Sequence, residues 1–336
     1  MIDANRFVVG DALEQLRELP AASVDTCITS PPYLLLRDYG VPGQMGMESS
    51  PDEWAERLTA VMREVARVLK PSGSLWLNVA DGYARHVRHG APPKSLLLAP
   101  ERLLLRLQAD GWIVRNRVVW QKTTHRPSSA RDRLTCSWEP IYLLVRTSHY
   151  FFDLDLIRRP HRSQRPAARA ETSRFTQRPQ PATGPLAAST DHLANMKAAG
   201  IAGHPLGANP GDVLTTAASN YRSAHCATFP TALVEPLLKA TCPEKVCRSC
   251  GHPWERQRAQ RLGQLAVLGQ LRPTCRCSSP TLPGLVLDPF SGAGTVALVA
   301  QGHGRRWLGI DLNPDYVRLA EHRLRAARDG PNAQAA

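Results

Sequence analysis

The stretch that most constrains the fold lies near the carboxyl end. Residues 285–287 read as a short apolar strand that runs without a break into Asp288-Pro289-Phe290-Ser291-Gly292-Ala293-Gly294-Thr295. Residues 295–301 read as a helix, 306–310 as a second strand and 314–327 as a closing helix. A strand that turns through glycines into a helix lets a ligand approach the backbone closely and leaves the first helical N–H groups free to donate. Strand–helix alternation of this kind builds a parallel sheet. Asp311 follows the second strand, where an acid can accept hydrogen bonds from ribose hydroxyls. A glycine turn alone would serve a dinucleotide equally well. Asp288 separates the two cases, because a carboxylate just before the turn suits a cationic amino group and repels a pyrophosphate.

The same alternation runs through the first half of the chain. Residues 6–9 read as a strand, followed by Gly10-Asp11 and a short helix; residues 25–28 read as a strand ending in Thr29-Ser30-Pro31-Pro32-Tyr33. Apolar residues Trp54, Leu58, Val61, Met62, Val65, Val68 and Leu69 recur at helical spacing over 52–69, with Pro71-Ser72-Gly73 as the expected stop. Residues 74–79 read as a buried strand, 98–109 as a helix, and 112–120 with 140–146 as a strand pair. The expected class is α/β, with a doubly wound, mostly parallel, Rossmann-like sheet.

Ser30-Pro31-Pro32-Tyr33 carries a specific chemistry. Two prolines after a strand stiffen the loop and fix the carbonyls before them. A fixed carbonyl and the Ser30 hydroxyl can both accept from an amino group, which draws the nitrogen lone pair out of conjugation. Tyr33 offers a flat face on which an extruded base can stack.

With these segments in place, the chain resembles the S-adenosylmethionine-dependent amino-methyltransferases of DNA, which modify N4 of cytosine or N6 of adenine. The order of motifs is that of the permuted (beta) group, with the catalytic loop ahead of the cofactor loop. The matching segments are Gly10-Asp11, Thr29 to Tyr33, Leu75-Trp76-Leu77-Asn78, His225 to Pro230, Asp288 to Thr295 and Gly309 to Pro314. The resemblance implies a methyltransferase sheet, with Ser30, Pro31, Pro32 and Tyr33 at the target base. It implies a cofactor site formed by Asp11, Phe229, Pro230, Asp288, Pro289, Phe290, Gly292, Gly294, Thr295 and Asp311. In this role Asp288 holds the methionine amine, Asp311 the ribose, and Asp11 the adenine or its amino group; Asp11 is equally a candidate helix cap, and Phe229 a candidate core residue. Serine at position 30 is typical of N4-cytosine enzymes in this family, while aspartate is usual in the adenine enzymes, so cytosine N4 is favoured and adenine N6 stays open. No Pro-Cys dipeptide occurs, which speaks against the covalent chemistry of cytosine C5 methylation.

Charge points the same way. The chain has 336 residues and a formal net charge of +13, which favours a polyanion; charge does not separate DNA from RNA, and the resemblance implies double-stranded DNA. Seven arginines and one acid lie between Arg158 and Arg178, in a Pro-, Gly- and Ser-rich stretch that makes a poor core. Residues 155–210 therefore read as a target-recognition insertion between a catalytic half (1–154) and a cofactor-site segment (211–241). A cysteine-rich insertion (242–280), a cofactor-binding half (281–328) and a short flexible tail (329–336) complete the expected organisation. Cys247, Cys250, Cys275 and Cys277 resemble the paired turns of a zinc ribbon, with Cys242 or His252 as alternative ligands. No run of about 18 apolar residues suggests a membrane helix, and no export signal is apparent. The expected location is the cytoplasm, bound to DNA. A homodimer and a cognate restriction endonuclease are both compatible with such a chain, the endonuclease as a cellular partner and not a required subunit.

Overall fold

The computed structural model describes residues 2–125, 127–160, 204–217, 229–262 and 265–329. Most of the arginine-rich stretch (161–203), His225 to Thr228 of one matching segment, and the tail from 330 onward lie outside the described residues. The elements in chain order are β1 (Arg6–Val9), α1 (Ala12–Arg17), β2 (Val24–Thr29), α2 (Pro51–Val68) and β3 (Leu69–Asn78). Next come α3 (Ala99–Ala109), β4 (Ile113–Lys122), β5 (Trp138–Val145), β6 (Val213–Thr216) and α4 (Thr231–Thr241). Short strands follow: β7 (Val246–Cys247), β8 (Trp254–Arg256), β9 (Gln260–Leu262), β10 (Leu265–Val267), β11 (Leu271–Pro273) and β12 (Thr281–Leu282). β13 (Leu285–Asp288), α5 (Thr295–Gly302), β14 (Arg306–Asp311) and α6 (Pro314–Asp329) close the chain.

Eight strands form one sheet in the order β1-β14-β13-β2-β3-β5-β4-β6. All neighbours pair in parallel except β5, which runs antiparallel to both β3 and β4. The C-terminal strands β13 and β14 thus sit between β1 and β2. Alternate residues of one strand feed opposite faces. Cys27, Leu75, Leu77, Leu285 and Leu287 pack with α1, α2 and α3, while Ile28, Trp76, Val286 and Trp307 pack with α4, α5 and α6. Burial on both faces is why β13 reads as an apolar run, whereas the equally buried β2 carries Asp25, Thr26 and Thr29.

Helix α2 shows how local chemistry sets an element. The Ser50 hydroxyl accepts from Glu53 N at 3.2 Å, Pro51 fills the first turn, and Asp52 and Glu53 favour the positive end of the helix. Its far end corrects one expectation. Pro71-Ser72-Gly73 does not form a loop between helix and strand: β3 starts at Leu69, directly after α2. Val24 pairs with Leu69 and Thr26 with Ser74, so the breakers are absorbed by a shift in the β2–β3 register. A bulge takes residues that a regular ladder rejects.

The cysteine-rich insertion forms three small antiparallel pairs, β7–β12, β8–β11 and β9–β10. Arg256 ties it to the main domain through Asp153 at 2.7 Å and also pairs with Glu244 inside the insertion. On that account Arg256 serves an internal contact. Among the described residues no helix is long and apolar enough to cross a membrane.

Candidate active site

The functional residues converge at the carboxyl edge of the sheet, where parallel α/β folds bind ligands. Thr29 ends β2, Asn78 ends β3, Lys122 ends β4, Asp288 ends β13 and Asp311 ends β14. Glu139 stands at the same edge because β5 is reversed, opposite Trp120 near the end of β4.

Asp288 is buried, 4% exposed, and its Oδ1 accepts from Thr29 Oγ1 at 2.7 Å and Phe290 N at 3.2 Å. Burial pushes its pKa up to about 7, against the two hydrogen bonds that favour the charged form. No cation pairs with it among the described residues. The Ser291 hydroxyl beside it is also buried and makes no hydrogen bond among them. An unmatched carboxylate and an orphaned hydroxyl at a glycine turn are what a bound ligand with a cationic group would satisfy. Asp311 Oδ2 accepts from Gly292 N at 2.7 Å and its Oδ1 from Asn313 N at 2.9 Å; burial raises its pKa too.

The two glycines of the turn have different tasks. Gly292 (φ +48°) faces open space, with nothing within 4 Å of where a Cβ would stand. Gly294 (φ +70°) has no such room: a Cβ there would lie 2.8 Å from both Phe7 Cζ and Ala320 Cβ. Gly294 lets β1 and α6 close on the turn, a packing role. Thr295, the first residue of α5, is buried and receives Arg323 Nη1 at 2.9 Å. Pro289 and Phe290 form the turn between Asp288 and the glycines, and Phe290 packs against the core on the α1, α2 and α3 face of the sheet.

Asp11 caps α1, its Oδ1 accepting from Leu13 N at 2.9 Å and Glu14 N at 3.1 Å. Gly10 N donates to Asp311 O at 2.9 Å, so the Asp11 backbone lies next to Asp311. Phe229 lines a small apolar cleft with Ile28, Thr29, Trp76 and Asn78, directly behind the Asp288 partner, and Pro230 caps α4.

The Ser30–Tyr33 loop is held from below. Trp54 Nε1, on α2, donates to Pro32 O at 3.0 Å, and Gly46 lies so close that a Cβ would be 2.8 Å from Tyr33 O. Ser30 Oγ lies 3.0 Å from Tyr33 Oη, which lies 3.0 Å from both Asn78 Oδ1 and Glu139 Oε2. Lys122 ion-pairs with Glu139. Burial and the Glu139 charge hold the Tyr33 phenol well above its ordinary pKa, so it stays protonated. The two loops adjoin: Ser30 follows Thr29, and Thr29 bonds Asp288.

The profile of the DNA methylase family matches residues 24–322, which includes both loops and the sheet strands from β2 to β14. The chain belongs to this family of S-adenosylmethionine-dependent DNA amino-methyltransferases. It is similar to the Type II methyltransferase M.Cfr9I of Citrobacter freundii, 32% identical over 94% of this chain and 86% of that protein. It is also similar to the Type II methyltransferase M.SfiI of Streptomyces fimbriatus, 29% identical over 92% and 88% of the two chains. In fold, it matches the PvuII DNA methyltransferase (cytosine-N4-specific) with a TM-score of 0.58 at 19% identity, over 97% of this chain and 86% of the other. TTHA0409 from Thermus thermophilus, complexed with S-adenosyl-L-methionine, matches with a TM-score of 0.53 at 24% identity over 97% and 96%.

For a DNA methylase, the residues that sequence reasoning missed are the supports: Glu139, Lys122 and Gly46, with Trp54 read only as an apolar position of its helix. A signal existed for Glu139, the lone charge at the head of the apolar run Ile141 to Val145. None existed for its partners, which pairing across the sheet supplies.

The four cysteines do converge. The sulfurs of Cys247, Cys250, Cys275 and Cys277 all lie within 4.8 Å of one another. Zinc bonds of about 2.3 Å in a tetrahedron place thiolates about 3.8 Å apart, so the set fits such an ion. Cys242 is no part of it, being buried against the core at the end of α4. His252 likewise stands outside the cluster, its carbonyl accepting from Cys247 N at 2.8 Å in the turn.

Proposed function

We propose that this chain methylates the exocyclic N4 of cytosine in double-stranded DNA, at a base turned out of the helix, by direct in-line transfer. The observation that carries the reading is the contact between the two loops. The Ser30 hydroxyl, which would receive the target amine, is one residue from Thr29, and Thr29 bonds the carboxylate that would receive the methionine amine. The residues assigned to the two ligands end adjacent parallel strands, β2 and β13, which supports transfer between them.

Asp288 would hold the methionine ammonium and Asp311 the ribose, with Gly292 leaving room for the cofactor chain. Asp11, Phe229, Pro230, Pro289, Phe290, Gly294 and Thr295 would shape that site. When bound, S-adenosylmethionine supplies an electrophilic methyl on a sulfonium. Ser30 Oγ and the Pro31 carbonyl would accept the two amine hydrogens, turning the nitrogen lone pair towards that methyl. Pro32 has its carbonyl committed to Trp54, which leaves Pro31 for the base. The Tyr33 ring would support the extruded base.

Serine at position 30, where the adenine enzymes usually carry aspartate, favours cytosine; the fold is shared with a methyltransferase named as cytosine-N4-specific. The Type II names of the relatives suit a companion of a restriction endonuclease. Target choice is assigned to residues 155–210, and a structural zinc to Cys247, Cys250, Cys275 and Cys277. Nucleoside mass analysis of DNA treated with the purified enzyme tests the reading. N4-methylcytosine is expected; N6-methyladenine alone overturns the choice of base, and 5-methylcytosine overturns the mechanism.

A further inference from the structure

The phenol of Tyr33 has three polar neighbours and one hydrogen. Two of the neighbours can only accept. Glu139 Oε2 is a carboxylate oxygen paired through its partner atom to Lys122. Asn78 Oδ1 is fixed as the amide oxygen because Asn78 Nδ2 donates to Pro140 O at 3.0 Å and to Glu139 Oε2 at 3.3 Å. The phenol must therefore donate towards Asn78 and Glu139. Its lone pair is left for the third neighbour, Ser30 Oγ at 3.0 Å, which must be the donor in that contact. The serine hydrogen is thus drawn away from the loop mouth, and the remaining lone pairs of Ser30 Oγ face outward. A serine hydroxyl left to itself could donate as readily as accept.

We propose that Glu139 is a positioning residue for methyl transfer: acting through Tyr33, it fixes the Ser30 hydroxyl as an acceptor for the target amine, and the same chain carries off the proton that the amine sheds. The idea rests on the amino-transfer reading above and applies to either amino group. As the nitrogen lone pair forms the N–C bond, the C–S bond breaks and its electron pair stays on sulfur. The nitrogen, now positive, gives one proton to Ser30 Oγ. Ser30 passes its own hydrogen to Tyr33 Oη, and Tyr33 passes its hydrogen to Glu139. Serine and tyrosine end as they began, and the proton rests on the carboxylate beside Lys122. The pair is partly buried, with side-chain exposures of 22% for Lys122 and 14% for Glu139, so the carboxylate can return the proton to solvent. The serine loop holds no strong base of its own, and this chain supplies one.

Glu139→Gln tests the inference, because the amide keeps the shape and can donate to Tyr33, which removes the direction of the chain. Single-turnover methyl transfer to genomic DNA from a host without methyltransferases should slow by about tenfold or more. Calorimetric affinity for S-adenosylmethionine should stay at the wild-type value, and the melting temperature should fall only by the loss of the Lys122 ion pair. Tyr33→Phe keeps the ring and cuts the chain, so it should slow transfer similarly. The double variant should be no slower than Tyr33→Phe alone, since both remove one chain. Glu139→Asp should recover part of the rate. Wild-type transfer rates in Glu139→Gln or in Tyr33→Phe, or defects that multiply in the double variant, overturn the proposal. Should Glu139→Gln fail to fold, Tyr33→Phe still decides it. A wild-type enzyme that leaves DNA unmethylated overturns the functional reading instead, before any variant is compared.

Discussion

Thr29 and Asp288, 259 positions apart in the chain, end neighbouring parallel strands and share a hydrogen bond of 2.7 Å. This bond stands where the two halves of the site meet, and it belongs to an acid whose pKa is pushed up to about 7 by burial. A raised carboxyl pKa favours the folded state when protonated. The stability it contributes is fully present below the ordinary value of 3.8 and is lost as pH rises towards 7. A cationic ligand reverses the preference, because it needs the carboxylate charged.

The first prediction follows from that sign. S-adenosylmethionine should bind more tightly as pH rises from 6 to 7.5, with a proton released on binding in the lower part of that range. Calorimetry in buffers of different ionisation enthalpy measures the release directly. Asp288→Asn should bind weakly and release none. Pronounced proton release in that variant would assign the titration to another group.

The strands and helices read from the sequence were legible because each buries a face of definite period, while β6, α4 and the short strands β7 to β12 were not read. Both loops were legible too, because glycine and proline mark their own backbones. The chemistry around them was less so. Gly294 read as a cofactor residue like Gly292, yet its neighbours are Phe7 and Ala320, from opposite ends of the chain. Asp11 read as a ligand or a cap, and the structure spends its Oδ1 on the cap. Glu139, Lys122 and Asn78 meet only because β5 is reversed within an otherwise parallel sheet, and periodicity does not state strand direction.

That contrast between glycines gives the second prediction. Gly294→Ala meets two neighbours at 2.8 Å in a left-handed conformation, and should destabilise the protein by about 3 kcal/mol. Gly292→Ala has the same conformational penalty of about 1–2 kcal/mol and no clash. Its main effect should be on cofactor affinity. Denaturant unfolding and calorimetric titration of the two variants should rank them in opposite orders.

A third prediction concerns the opposite edge of the sheet. Lys70 Nζ pairs with the buried Asp25 at 2.6 Å and also donates to Gly251 O at 3.1 Å, while Asp25 Oδ2 accepts from Leu285 N at 2.8 Å. Lys70→Met would leave Asp25 charged and unpaired, at about 3–5 kcal/mol. Lys70→Met/Asp25→Asn should recover part of that loss in the same unfolding experiment.

The cysteine cluster gives the fourth. Freshly reduced protein should carry about one zinc per chain by elemental analysis, as four converging thiolates require. Cys250→Ser should lose the metal and lower the melting temperature. Its affinity for S-adenosylmethionine should persist, because Gly251, at the cysteine turn, touches Lys70 at the amino edge and not Asp288 at the carboxyl edge. Metal-free wild-type protein with an unchanged melting curve would reject the site.

The last prediction separates base support from nitrogen activation. Ser30→Ala removes an acceptor that strengthens as the amine becomes tetrahedral, so turnover should fall while S-adenosylmethionine affinity holds, the mark of an interaction made mainly in the transition state. Tyr33→Ala removes the ring as well as the phenol. It should cost more than Tyr33→Phe by the stacking of one base, about 1–3 kcal/mol, and should weaken binding to DNA carrying an abasic target less than binding to the intact site. The order expected in single-turnover rates is wild type, then Ser30→Ala and Tyr33→Phe, then Tyr33→Ala. Equal rates for Tyr33→Ala and Tyr33→Phe would show that the ring bears no base, and would leave to Tyr33 only its hydroxyl.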